Sequence, residues 1–143
     1  NNVDLSGNNS VLAGNSSPLV LGPGNGADTS PATAVPMSEV GTAERLFVNV
    51  DNDPGTQANN GIPSTFFFFL CNGVFPTNCN IRCFMTGPDT TCNDLADTQT
   101  YAVGDFMELW AYADNPGANH ANVKWSVTYD RGTLDIVTPV PAL

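Results

Sequence analysis

The chain has 143 residues, four Lys or Arg against 14 Asp or Glu, and a formal net charge of -10 at pH 7. Charged residues are 13% of it, about half the roughly 25% usual in soluble domains, so the acidity reflects scarce cations and not abundant acids. Four cations cannot neutralise a phosphate backbone, an anionic membrane surface repels the chain, and the longest apolar run, Phe66 to Cys71, falls far short of the roughly 20 residues of a membrane helix.

The expected partners therefore include no nucleic acid and no membrane insertion. The length fits one domain. Residues 1–36 are rich in Asn, Gly, Ser, Ala and Pro, with apolar residues only in short islands: Val3 and Leu5, Val11 and Leu12, and Leu19 to Leu21. No helical period joins these islands, and a segment of this composition does not order itself. It is expected to be an extended arm lying along a sheet, either its own or a neighbouring subunit's. Asn1 stands where an initiator Met would, which leads to the expectation of a processed N-terminus, as after removal of a secretion signal, or of an excised piece of a longer chain. Two N-x-S/T sequons, at Asn8 and Asn15, fall in the arm and matter only in a glycosylating host.

From residue 37 to about 130 the punctuation is that of an all-β domain. Strands are predicted at Arg45–Val50, Thr65–Cys71, Ile81–Thr86, Thr100–Val103, Phe106–Ala113 and Asn122–Tyr129. Turn formers separate them: Asp53-Pro54-Gly55, Asn60-Gly61, Asn72-Gly73, Gly87-Pro88-Asp89, Gly104-Asp105 and Asn115-Pro116-Gly117. No stretch combines helix caps with a helical period, and short strands at irregular spacing suit a sandwich or jelly roll.

Alternation assigns the faces. Leu46, Val48 and Val50 share one side, and Val123, Trp125, Val127 and Tyr129 point inward. Phe106–Ala113 splits into Phe106, Glu108, Trp110 and Tyr112 against Met107, Leu109 and Ala111. Glu108 is expected to face inward with Trp110, either reaching the rim or pairing with Arg45 or Arg82. Phe66–Phe69 puts two aromatics on each face. That strand is either central and covered on both sides, or its second face, with Phe67 and Phe69, meets another subunit. Beyond it all, residues 131–143 carry Leu134, Ile136, Val137 and Val140 around Pro139 and Pro141. This C-terminal extension closes its own sheet or adds to a partner's edge.

Residues able to carry chemistry are few. The one histidine, His120, lies in a polar loop, and no nucleophile elbow, phosphate-binding loop or zinc-protease motif occurs. No catalytic residue and no cofactor are assigned. Asp51-Asn52-Asp53-Pro54-Gly55 makes Asp51 and Asp53 a weak calcium candidate, but the later bidentate Glu of such loops is missing and a β-turn accounts for the same residues. Cys71, Cys79, Cys83 and Cys92 follow the spacing C-x7-C-x3-C-x8-C, without a C-x2-C knuckle. Disulfides are favoured over zinc, and they point to an oxidising compartment; four cysteines allow three pairings.

One ordered series of segments carries a resemblance. It runs from Gly41-Thr42 through Leu46-Phe47-Val48-Asn49-Val50 and Pro54-Gly55 to Thr65-Phe66-Phe67-Phe68-Phe69-Leu70 with Asn72-Gly73. It continues with Cys83-Phe84-Met85-Thr86-Gly87, Thr90-Thr91-Cys92, Val103-Gly104-Asp105-Phe106-Met107-Glu108-Leu109 and Val123-Lys124-Trp125-Ser126-Val127. Together these resemble a family of extracellular or virion-associated bacterial and phage domains whose jelly roll is similar to the C1q and tumour-necrosis-factor folds. The resemblance covers about residues 36 to 129. It implies a Cys83–Cys92 bond across a hairpin, leaving Cys71 with Cys79, and a structural or adhesive role without catalytic residues. The Cys71/Cys79 loop, the Phe-rich strand and the two apolar ends depart from the family's pattern.

The expectation is thus a jelly-roll β-sandwich with an extended N-terminal arm and a C-terminal strand extension. Its expected role is that of a non-enzymatic structural subunit of an extracellular assembly, whether filament, sheath, appendage or virion fibre. It would be secreted to the cell surface or carried on a virion surface. The expected partner is a copy of itself, in a homo-oligomer or polymer held by strand addition and disulfides. Val3, Leu5, Val11, Leu12, Leu19, Leu21, Phe67, Phe69, Leu134, Ile136 and Val140 are the candidate contacts. The alternative is an adhesin domain in which Trp110, Tyr112 and Tyr129 stack on surface glycans.

Overall fold

The computed structural model describes residues 2–9, 19–21, 27–28, 35–57 and 60–132, and all statements below concern these. They form ten strands and no helix: β1 (Asn2–Asn9), β2 (Leu19–Leu21), β3 (Ala27–Asp28), β4 (Val35–Pro36), β5 (Gly41–Val50), β6 (Thr65–Asn72), β7 (Ile81–Thr86), β8 (Thr91–Tyr101), β9 (Phe106–Ala113) and β10 (Val123–Asp130). Two antiparallel sheets result, one ordered β1-β10-β5-β8 and the other β3-β2-β9-β6-β7, with β4 also on β9.

The pairings are nested. β6 pairs with β7, β5 with β8, β2 and β4 with β9, and β1 with β10, and successive pairs alternate between the sheets. One long antiparallel ribbon rolled up gives this order, so the molecule is an all-β jelly-roll sandwich. The strands of residues 1–36 lie in the roll of their own chain: β1 runs along β10 from Asn2 opposite Asp130 to Asn9 opposite Val123.

The core follows from the alternation. Leu46 and Val48 of β5, Phe66, Phe68 and Leu70 of β6, Ile81 and Met85 of β7, and Val123, Trp125 and Val127 of β10 are buried together. Each large side chain so buried contributes about 1.5–3 kcal/mol. On β9 the buried partners are Met107, Leu109, Ala111 and Ala113. Glu108, Trp110 and Tyr112 therefore stand on the outer face of the sheet, opposite to the inward placement expected for Glu108. Small residues alternating with large ones hid which side of β9 was the core. Nor does Glu108 pair with Arg45 or Arg82, both of which are exposed.

Two tyrosines close one end of the core, their rings 6.1 Å apart and 62° to each other. The Tyr101 hydroxyl donates to the Cys71 carbonyl at 2.9 Å, and that of Tyr129 donates to the Glu39 carbonyl at 2.7 Å. Gly41 lies beneath Tyr129. A Cβ there would stand 2.5 Å from the ring and 2.7 Å from the Asp130 carbonyl oxygen, so the position admits only glycine without rearrangement.

β8 was foreseen only in its last residues, Thr100 and Tyr101. The missed part, Thr91 to Gln99, is mostly polar and exposed because β8 is an edge strand. It also bulges: the pairing jumps from Glu44 opposite Thr98 to Leu46 opposite Asp94, and Arg45 takes φ 58°. Asp94 holds the bulge by accepting from the backbone N–H groups of Arg82, Ala96 and Asp97. Burial alone would raise its pKa, but these donors keep the carboxyl below the ordinary range.

The cysteines form two bonds, Cys71–Cys79 and Cys83–Cys92. The first closes the loop after β6. The second joins β7 to β8, which are edge strands of different sheets, so it staples the sandwich instead of crossing a hairpin.

Candidate functional site

The outer face of the larger sheet carries a ribbon of aromatic side chains. β6 projects Phe67 and Phe69 away from the core because Phe66 and Phe68 project into it. The register sets Phe67 between Phe84 of β7 and Tyr112 of β9, and Phe69 between Arg82 and Trp110. Tyr112 stacks on Phe67 with ring centroids 4.9 Å apart, and Phe67 meets Phe84 edge-on at 5.1 Å. Phe69 continues the ribbon, lying 5.0 Å from Phe75, whose ring is in turn 6.0 Å from Trp110. Phe75 belongs to the Cys71–Cys79 loop, so that disulfide holds an aromatic lid over one end of the ribbon. Phe84 is 47% exposed, while Phe67, Phe69, Phe75 and Tyr112 are half-buried.

Such a face is unusual on a soluble surface, where large apolar side chains are normally scattered singly. Aromatic pairs add about 0.5–1.5 kcal/mol each beyond their burial, so the rings of the ribbon favour this mutual arrangement. On β6, β7 and β9 the one exposed charged side chain is Arg82; Glu108 is buried. Burial pushes the Glu108 carboxyl above its ordinary range, and the Trp110 indole N–H offsets part of that.

The other candidate residues are dispersed. Val3 and Leu5 lie on β1 opposite Tyr129 and Val127, and Leu5 packs against the core. Leu19 and Leu21 lie on β2 opposite Ala111 and Leu109. Val11, Leu12, Asn15, Leu134, Ile136 and Val140 fall outside the described residues. Asn8 pairs with Lys124 in the β1 register. Asp51 accepts hydrogen bonds from the backbone N–H and side-chain amide of Asn122, which hold it below the ordinary carboxylate range. Asp53 accepts from the Gly55 N–H at 2.7 Å within its own turn. The exposed His120 contributes its carbonyl, which accepts from the Asn52 amide. Of the aromatics named for glycan stacking, Tyr129 lies in the core at 2% exposure and Trp110 is 6% exposed; Tyr112 belongs to the ribbon. Phe75 and Phe84 were not singled out from the sequence. Phe84 was detectable, since it alternates with the core residues Cys83 and Met85, whereas Phe75 reaches the face only through a loop.

No protein-family model matches the chain, and no curated protein does. The fold is similar to a solved phage structure described as the acidic stable capsid structure of Helicobacter pylori bacteriophage KHP30. That likeness covers 90% of this chain and 86% of the other, with a TM-score of 0.51 and 12% identity. At this identity it is a likeness of fold. No helix among the described residues is long and apolar enough to cross a membrane.

Proposed function

We propose that this chain is a non-enzymatic structural subunit of a multimeric assembly, a virion shell or fibre component or a secreted appendage, whose aromatic ribbon is covered by a second copy. The observation that carries this reading is the ribbon itself: five exposed or half-buried aromatic rings in mutual contact on a sheet face. Charge makes this face the place where a second copy is least opposed. Copies of net charge -10 repel one another, and they meet at least cost on a face whose strands expose no carboxylate. A capsid protein among its structural neighbours supports the same class of role.

Strand addition, in this reading, belongs to β1. It is an edge strand held by an eight-residue backbone register, and its sequence offers few apolar anchors, so one copy's β1 can take the same place on another copy's β10. Sedimentation velocity on the full chain tests the assembly reading. The wild type is expected to self-associate, and Phe84→Ser or Tyr112→Ser to weaken association at least about 30-fold, the effect of losing an interface anchor of about 2 kcal/mol or more. A wild type that stays monomeric up to its solubility limit, or variants that associate like it, would overturn the proposal. A monomer whose residues 1–36 resist protease would overturn the strand exchange.

A further inference from the structure

Beside the ribbon sits a buried carboxylate whose one polar neighbour among the described residues, the Trp110 indole, lies near it without completing a hydrogen bond. Glu108 is 1% exposed, and neither of its oxygens has a hydrogen-bond partner among the described residues. The nearby Trp110 Nε1, also buried, has none either. An ionised carboxylate left dry and unpaired is strongly disfavoured, so the group is either neutral or open to a counter-charge from outside. The chain's own cations are placed elsewhere. Arg45 and Lys124 project into solvent from β5 and β10 of the other sheet, Arg82 is exposed on β7, and Arg131 is paired with Glu39 at 3.4 Å.

Glu108 lines a cavity of about 240 Å³ together with Gly73, Val74 and Phe106. The loop after β6 shapes it: the Gly73 N–H donates to the Phe106 carbonyl at 3.0 Å, and a Cβ on Gly73 would meet nothing within 4 Å. Apart from the one carboxylate, the named side chains around this space are apolar. At roughly 30 Å³ per water-sized volume, it holds about eight such volumes, enough for a short alkyl stem and its head group.

We propose that this cavity is a binding site for an organic cation, a primary ammonium or guanidinium group on an aliphatic stem. The stem lies against Val74 and Phe106, the Phe106 ring offers a cation–π contact, and the Glu108 carboxylate, whose oxygens are closed to solvent in the free protein, turns toward the head group on binding. A lysine or arginine side chain of another protein and a free polyamine present the same chemistry. The inference does not depend on the assembly reading, because the four residues that carry it, Gly73, Val74, Phe106 and Glu108, belong to one chain.

The test is a titration of the full-length protein, followed by NMR at the Trp110 indole N–H and the Val74 methyl groups, with n-butylammonium, n-butylguanidinium and uncharged 1-butanol as probes. The charged probes are expected to shift both signals saturably and to bind at least about tenfold tighter than butanol, as a desolvated charge pair requires. Glu108→Gln should erase that preference. Val74→Trp, at a position 56% exposed, fills the cavity while leaving Glu108 in place, and should block binding even if the first variant fails to fold. Comparison of spermidine with N-acetyl-lysine methylamide then distinguishes a free amine from a protein side chain as the source. Butanol binding as tightly as butylammonium, a charge preference that survives Glu108→Gln, unchanged binding to Val74→Trp, or no saturation in the tens of millimolar would each overturn the proposal.

Discussion

The two disulfides close loops of nearly equal length but do different work, and that difference can be measured. Their sequence separations are 8 and 9, for which loop-closure entropy gives about 2.5 kcal/mol of stabilisation for either bond at 25 °C. For a chain of this size that corresponds to a fall of roughly 5–10 °C in Tm when either is removed. The double variants Cys71→Ala/Cys79→Ala and Cys83→Ala/Cys92→Ala should therefore lose similar stability in urea unfolding. Cys83 also sits in the core at 5% exposure, so its replacement adds a small cavity cost. Association should separate them. Cys71–Cys79 tethers Phe75 against Phe69 and Trp110, whereas Cys83–Cys92 staples β7 to β8 at the opposite edge of the sheet from β2 and β3. Removing the first should weaken self-association measured by sedimentation below the melting transition more than removing the second, which leaves Phe75 tethered although β7 also carries Phe84. Equal effects of both variants on association, or a loss of association only in Cys83→Ala/Cys92→Ala, would refute the assignment of the loop to the interface.

Three further outcomes are expected. Gly41→Ala drives a methyl group into the Tyr129 ring and the Asp130 carbonyl and should cost about 1–3 kcal/mol in equilibrium unfolding, the range for overpacking. Tyr101→Phe removes the buried hydroxyl that donates to the Cys71 carbonyl and should cost about 1–3 kcal/mol, since that oxygen loses its donor. Glu108 has a folded pKa above its ordinary 4.5, so its ionisation is harder in the folded state and stability falls as pH rises above that value. In amine-free buffer, Glu108→Gln should then be more stable than the wild type near pH 7 and no more stable near pH 4; an advantage that persists at pH 4 would contradict this.

The all-β class and most strands were legible because they alternate cleanly or end at strong turn formers. Ile81–Thr86 and Phe106–Ala113 occupy the predicted ranges, and Thr65–Cys71 differs by one residue. β8 was not legible beyond its end, because an exposed, bulged edge strand has no apolar period to read. The arm's short strands β2, β3 and β4 were hidden for another reason: segments of two or three residues owe their conformation to the neighbour they pair with. For the candidate site, the run Phe66–Phe69 announced two apolar faces. The full ribbon required the register, which alone brings Phe84 and Tyr112 beside Phe67. Glu108 was noticed as an acid on an aromatic face, yet its side of the sheet depended on which half of β9 met the core. With Ala111 and Ala113 on one side and Trp110 and Tyr112 on the other, hydrophobicity pointed the wrong way.

The outermost pair of the nest joins strands from opposite ends of the described chain, since Asn2 lies opposite Asp130. On a ribosome working at 5–20 residues per second, β10 follows β1 by roughly 6–25 s. Throughout that interval β1 has no partner within its own chain, while a completed neighbour whose β1 has frayed offers an open β10. If copies exchange arms as proposed, the balance between closed and exchanged molecules is a matter of timing as well as of affinity. Dilute refolding would then favour closure, and closely spaced nascent chains would favour exchange.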